Sequence, residues 1–138
     1  MGHFQNLRLV RSIIAVFCLA LLAHCPLLAA APQPTVRLIV DYGDGVQTHY
    51  TALPWKGEMT VVDALAAAQK HPRSLKITQR GRGASALITA IGGLENEGRG
   101  RNWLFSVNGK EADVGAGSYE LQAGDSVLWE FKEYGYNQ

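Results

Sequence analysis

Few side chains in this sequence could do covalent chemistry, and none is spaced for it. Both cysteines, Cys18 and Cys25, fall within the first thirty residues, and beyond them the only histidines are His49 and His71. His71 precedes Pro72 at an expected helix end, where a histidine suits the helix dipole better than proton transfer. His49 falls on the second strand of an expected hairpin, with an exposed face as its default. A serine nucleophile wants the sharp turn of a G-x-S-x-G motif, and Ser85, Ser106, Ser118 and Ser126 all lack that context. Asp41 and Asp44 suggest a calcium loop, but the ligand spacing and closing glutamate are missing, so they read as a hairpin tip. No triad, thiolate metal site or cluster-binding cysteine set emerges. The sequence therefore predicts a protein that recognises rather than catalyses, with no catalytic residue, metal or resident cofactor.

Two groups of residues are suited to binding. Lys76, Arg80 and Arg82 surround one turn, and Arg99 and Arg101 sit in a later loop, so an anion patch would form if the loops met. Glu95 and Glu97 share that later loop. Past residue 30, eleven Lys and Arg face twelve Asp and Glu, a balance that gives no general pull toward polyanions. A solvated surface is expected there, and nucleic acid is not an expected partner. The three tryptophans are better motivated, because aromatic faces suit planar or sugar-like ligands. Trp129 alternates along a strand as core residues do. Trp103 fits the core and a ligand face equally well. Trp55 follows Pro54 before the helix, where it closes the core or lines a groove.

The N-terminal segment reads as an address. Arg8 and Arg11 precede an apolar run over residues 12–23, and Ala29, Ala30 and Ala31 supply small residues for cleavage. A signal peptide over residues 1–30 is expected, cut after Ala30, which avoids Pro32 at the first mature position. His24 and Pro26 interrupt the run, whereas a spanning helix wants about 20 mostly apolar residues. Without cleavage the segment would be a membrane anchor, and Cys25 is a lipidation candidate. The expected location is extracytoplasmic, secreted or periplasmic, with no stable membrane insertion after cleavage. Residues 31–35 form a linker, and residues 36–138 remain for one domain whose core must hold it without disulfides.

The elements that position these residues follow from their periods. Val36, Leu38, Val40 and Tyr42 alternate as a strand, Gly43, Asp44 and Gly45 turn, and Val46, Thr48 and Tyr50 return. Thr60 can cap a helix with Asp63 in its first turn. Val61, Leu65 and Ala68 form its apolar stripe, widened by Val62 and Ala66, and Pro72 ends it near Lys70 or His71. Leu75 to Gln79 reads as a strand, and Leu87, Thr89 and Ile91 alternate after the Arg80–Gly83 turn. Residues 95–101 read as an exposed loop. Trp103, Phe105 and Val107 then share one face opposite Leu104 and Ser106. Asn108-Gly109 supplies the two positive-φ positions of a hairpin turn. Ala123, Gly124 and Asp125 turn the chain into the alternation of Val127, Trp129 and Phe131. The fold class is α+β: a β-grasp-like single domain, with a mixed sheet of short strands crossed by one helix.

The motif Trp103-x-x-x-Val107-Asn108-Gly109, followed by Ala112-Asp113-Val114-Gly115-Ala116, carries a specific resemblance. With Tyr119-x-Leu121-x-x-Gly124-Asp125-x-Val127-x-Trp129 and the helix opening Thr60-Val61-Val62-Asp63-Ala64-Leu65, it resembles the transcobalamin-like C-terminal domain family. These are bacterial β-grasp domains similar to the small β-domain of transcobalamin and intrinsic factor. The resemblance runs from Val36 to Phe131 and is most specific in its C-terminal half. It implies a β-grasp fold of the soluble-ligand-binding kind. In the vitamin carriers a helical barrel and the β-domain close on opposite sides of cobalamin. This sequence has no counterpart of the barrel, so half of such a clamp would come from elsewhere. The positions matching the carriers' β-domain near the ligand are Asn102, Trp103, Gly115, Ala116 and Tyr119, which become the candidate ligand-binding residues. Other β-grasp roles fail on chemistry, since ubiquitin-like and sulfur-carrier proteins present a terminal Gly-Gly and Gly92-Gly93 is internal.

The functional expectation is an exported recognition module for a small ligand such as cobalamin, acting with a separate partner. The alternative is an extracytoplasmic protein-interaction or assembly module with no small-molecule site.

Overall fold

Val36, Leu38 and Val40 are buried while their neighbours are not, so the period of two makes β1 (Thr35–Asp41) a strand with one core face. The structure, a computed structural model, describes residues 30–135. Apart from Ala30, the expected signal peptide lies outside the described residues, Cys25 included. Strand β1 returns antiparallel into β2 (Gln47–Pro54). Asp41 and Asp44 direct their carboxylates to that turn. Asp41 accepts from the Gly43 N–H at 2.8 Å and the Gln47 amide at 2.7 Å, and Asp44 accepts from the Val46 N–H at 3.0 Å.

Helix α1 (Val61–Lys70) opens on a complete capping box. The Thr60 side chain accepts from the Asp63 N–H, and Asp63 accepts from the Thr60 N–H at 2.8 Å. The two remaining first-turn donors are met from outside, Val61 N–H by the Tyr119 carbonyl at 3.1 Å and Val62 N–H by the Ala116 carbonyl at 3.2 Å. The buried stripe is Val61, Ala64, Leu65 and Ala68. Ala64 takes the place that the sequence assigned to Val62 and Ala66, both of which are half-buried.

The remaining strands are β3 (Ile77–Arg80), β4 (Leu87–Ile91), β5 (Leu94–Glu95), β6 (Arg101–Val107), β7 (Lys110–Glu111) and β8 (Ser126–Glu133). They divide into two sheets rather than the one expected, a five-stranded sheet in the order β2-β1-β8-β6-β7 and a three-stranded sheet β3-β4-β5. The larger sheet is mixed, because β1 and β8 run parallel and its other pairs antiparallel. Strand β3 begins at Ile77 and not at Leu75. Leu75 is buried and donates its N–H to the Ala68 carbonyl at 3.2 Å, closing the helix end instead. Asn108 and Gly109 take φ of 52° and 79°, as the hairpin from β6 to β7 requires.

Register puts Leu38, Val127 and Val107 abreast, and likewise Val40, Trp129 and Phe105. This face packs on α1 with Leu53, Leu121 and Phe131 in one core. The fold is therefore α+β, one helix against a mixed sheet. No helix among the described residues is long and apolar enough to cross a membrane.

Candidate ligand groove

Strand β6 has one filled edge and one interrupted edge. All seven of its residues pair with β8. Its odd-numbered residues turn their N–H and C=O groups the other way. There Arg101 donates to Glu97 Oε2 at 2.7 Å and accepts from the Glu97 N–H at 2.9 Å, and Trp103 N–H donates to Asn96 Oδ1 at 2.8 Å. Farther along, β7 covers only Ser106 and Val107. Between these two covers, a short stretch of the β6 edge from the Trp103 carbonyl to the Phe105 N–H is reached by neither Asn96 nor β7.

Strand β4 faces this gap. Thr78 pairs with Ala90 and Gln79 with Ile88, which leaves Thr89 as the extra residue of a β-bulge. The Asn96 N–H donates to the Thr89 carbonyl at 2.9 Å, and Asn96 Nδ2 donates to the Ile88 carbonyl at 2.9 Å. Asn96 thus spans the two strands and closes one end of the groove.

The groove has two lobes of about 1300 Å³ and about 200 Å³. Leu87, Trp103, Leu104 and Tyr134 wall both. Leu87 is 58% and Tyr134 67% exposed, an unusual pair of large apolar side chains at one rim. Arg80 and Arg99 line the larger lobe with Glu95 and Glu133. The anion patch weighed from the sequence and set below a solvated surface is at most partial, because Arg101 is tied to Glu97 at 3.1 Å and stacks 4.9 Å from the Phe131 ring centroid. The Arg101 N–H chiefly, with its guanidinium, holds the Glu97 carboxyl below its ordinary range.

The smaller lobe is mainly apolar, with Phe105, Ala116 and Trp129 in its wall. Trp129 is 3% exposed, and its Nε1–H is a buried donor without a partner. Such an orphan costs about 1–3 kcal/mol. A separate hollow of about 630 Å³ between α1 and the loop around Met59 touches none of the candidate ligand residues.

The five candidates part company here. Trp103 lies between the lobes but is 5% exposed, and its Nε1–H is already given to the Leu94 carbonyl at 2.8 Å. Asn102 lines the larger lobe while its side chain grips the loop, accepting from the Gly98 N–H at 2.9 Å and donating to the Gly100 carbonyl at 3.0 Å. Gly115 and Ala116 reach the smaller lobe. Tyr119 reaches neither lobe; its ring stands edge-on to Phe105 at 6.1 Å and its carbonyl caps α1. Sequence reasoning missed Asn96, Leu87 and Tyr134. Asn96 is hidden in a polar loop, and the other two look like ordinary strand residues. Trp55 closes the core by donating to the Leu121 carbonyl at 2.8 Å.

His49 bonds Gln47 at 3.0 Å, and His71 accepts the Arg73 N–H at 3.1 Å. Among the described residues, no group of three His, Cys, Asp or Glu side chains could hold a metal.

A profile of a domain of unknown function, DUF4430, matches residues 58–133, more than half of the chain. The chain belongs to that family. No curated protein matches its sequence. Among solved structures it is similar to haptocorrin in complex with Cbi, with a TM-score of 0.61 and 23% identity over 73% of this chain. It spans 25% of the haptocorrin chain. It is also similar to a protein from Ruminococcus gnavus ATCC 29149 described as a candidate metal binder, with a TM-score of 0.58 and 12% identity over 75% of this chain and 100% of the other. At such identities the likeness is one of fold.

Proposed function

We propose that this member of the DUF4430 family is an exported, non-catalytic recognition module of the transcobalamin-like kind. It holds a small ligand such as a corrinoid in the groove between β4 and β6. The observation that carries this reading is the groove itself: two concave lobes, an exposed Leu87–Tyr134 rim and a short uncovered stretch of the β6 edge. Pockets that combine an apolar wall with a few convergent polar groups are the usual form of small-molecule sites. The fold shared with haptocorrin supports the ligand class. The chain spans a quarter of that protein, and on this reading a partner acting with the groove covers the ligand's far side. The placement of His49, His71 and the serines outside both lobes of the groove supports binding over catalysis.

The test is a titration with cyanocobalamin followed by tryptophan fluorescence and corrected for ligand absorbance. The Leu87→Asp variant, altered at an exposed rim position, serves as the comparison. Saturable quenching that weakens in the variant supports the reading. No saturation to about 100 μM, a binding free energy weaker than about −5.5 kcal/mol, retires it for the chain acting alone. The alternative is an assembly module without a small-molecule site. It is favoured by one observation, that Trp103 is buried and its ring N–H already spent.

A further inference from the structure

The hollow beside α1 is apolar where the outer face of a helix is ordinarily polar. Asp63, Ala66, Ala67 and Lys70 recur at i, i+3, i+4 and i+7, so one helix face about 10 Å long fronts it. This face lies opposite the buried stripe of Val61, Ala64, Leu65 and Ala68. The two alanines are half-buried, and their small side chains leave about 630 Å³ between the helix and the Leu53–Met59 segment. That volume lies in the range of small-molecule sites. The segment runs back along the helix, because the Tyr50 ring stands 5.1 Å from His71 and Thr60 caps the other end. The hollow is therefore a trough, floored by Leu53 at 1% and Met59 at 7% exposure. A tight turn sets Met59 there. Its N–H donates to the Lys56 carbonyl at 3.2 Å, and Glu58 takes a left-handed φ of 61°.

Charge divides the trough along its length. Glu58 and Asp63 belong to the end nearest the helix start, where Asp63 accepts from the Thr60 N–H and hydroxyl at 2.8 Å. Lys56, two residues before Glu58, offsets it. At the other end Lys70 is exposed and has no ion pair or hydrogen bond among the described residues. No carboxylate lines that end. Two carbonyls of the last turn are already engaged, Ala68 by the N–H groups of His71 and Leu75 and Gln69 by the Ser74 hydroxyl. Their share of the negative helix end is thereby muted. A free cation at one end of an apolar trough suits a guest with an anionic head and a long apolar tail.

We propose that this trough binds a single-chain carboxylate of the fatty-acid kind. Its head lies at Lys70 and its chain passes over Ala66 and Ala67 toward Met59. The trough shares no lining residue with either lobe of the groove between β4 and β6, so it stands or falls apart from that reading.

The Met59 methyl group reads the trough from inside, and Met1 is the only other methionine. The full chain, carrying ¹³C at its methionine methyls, is titrated with sodium decanoate, decanol and decyltrimethylammonium below their micelle concentrations. Decanoate is expected to move the Met59 signal saturably and with the highest affinity, decanol with less and the cation with least, while Met1 stays. Lys70→Glu, at an exposed position, is expected to bind decanoate about fivefold more weakly, an ion pair exchanged for a repulsion. The same variant is expected to gain affinity for the cation. Ala67→Leu fills the trough with a good helix former and is expected to abolish the response with circular dichroism unchanged. A Met59 signal that stays fixed, or that moves only together with Met1, overturns the site. Equal affinity for the three probes, or an unaltered decanoate affinity in Lys70→Glu, overturns the anionic head. A full response in a folded Ala67→Leu overturns the trough as the place where the chain lies.

Discussion

The side chain of Asn96 accepts the backbone N–H of Trp103 at 2.8 Å, so an amide from a loop stands where a neighbouring strand would have put a peptide. Its nitrogen donates to the Ile88 carbonyl at 2.9 Å across the gap. One residue thereby holds β4 and β6 apart at a fixed distance and sets the width of the groove.

Removal of that spacer should be costly. Asn96→Ala leaves the Trp103 N–H and the Ile88 carbonyl unsatisfied, and about 1–3 kcal/mol of stability should be lost in urea unfolding. Asn96→Asp keeps an acceptor for Trp103 but loses the donor to Ile88, so a smaller loss is expected. Faster hydrogen exchange at Trp103 in the alanine variant would confirm the linkage, and unchanged exchange would refute it.

Trp103 and Leu87 should separate stability from binding. Trp103 is packed 5.2 Å from Phe131 and 5.7 Å from Tyr42. Truncation to alanine should cost about 3–5 kcal/mol, which makes any loss of binding in that variant uninterpretable. Leu87→Asp, at an exposed position, should stay within about 0.5 kcal/mol of the parent. A thermal melt of both variants checks the contrast.

The loop that ends the groove should loosen in acid. Glu97 accepts the Arg101 N–H and pairs with its guanidinium, so its folded pKa lies below the ordinary 4.5. A depressed carboxylate stabilises fully above its unfolded pKa, and that contribution is lost as pH falls through the folded value. Exchange protection at Arg101 should therefore hold above about pH 4.5 and decline below it. Glu97→Gln should flatten that decline; a variant with the same pH profile would show another group to be responsible.

At the other side of the core, Thr60→Ala removes the oxygen that accepts the Asp63 N–H. About 1–2 kcal/mol should be lost. The two donors capped by Ala116 and Tyr119 remain satisfied, so circular dichroism should show the helix retained at 25 °C. Loss of helix content would mean that the 115–119 segment caps less than its geometry implies.

Local patterns in the sequence were enough for the helix and the longer strands, and not for the two-residue strands β5 and β7. Alternation in Trp103, Phe105 and Val107, the Asn108-Gly109 turn and the Thr60 cap each act over a few neighbouring residues, so their physics is complete within the stretch that encodes them. The grasp-type packing of one helix on a mixed sheet followed from their order and from the family motif. The groove was not legible, because it is made by edges. Which side of β6 stays uncovered depends on β8 pairing on one side and on Asn96 arriving from the loop, contacts set by register and not by composition. The same holds for Tyr119, whose carbonyl was drawn to the helix N-terminus by the unmet Val61 N–H, and for Trp129, which the sequence placed in the core without showing that its ring nitrogen would be left alone there. Local spacing decided what each segment is. Only the folded chain decided which polar groups were left for a ligand, because a hydrogen bond is satisfied or left open by neighbours that are distant in sequence.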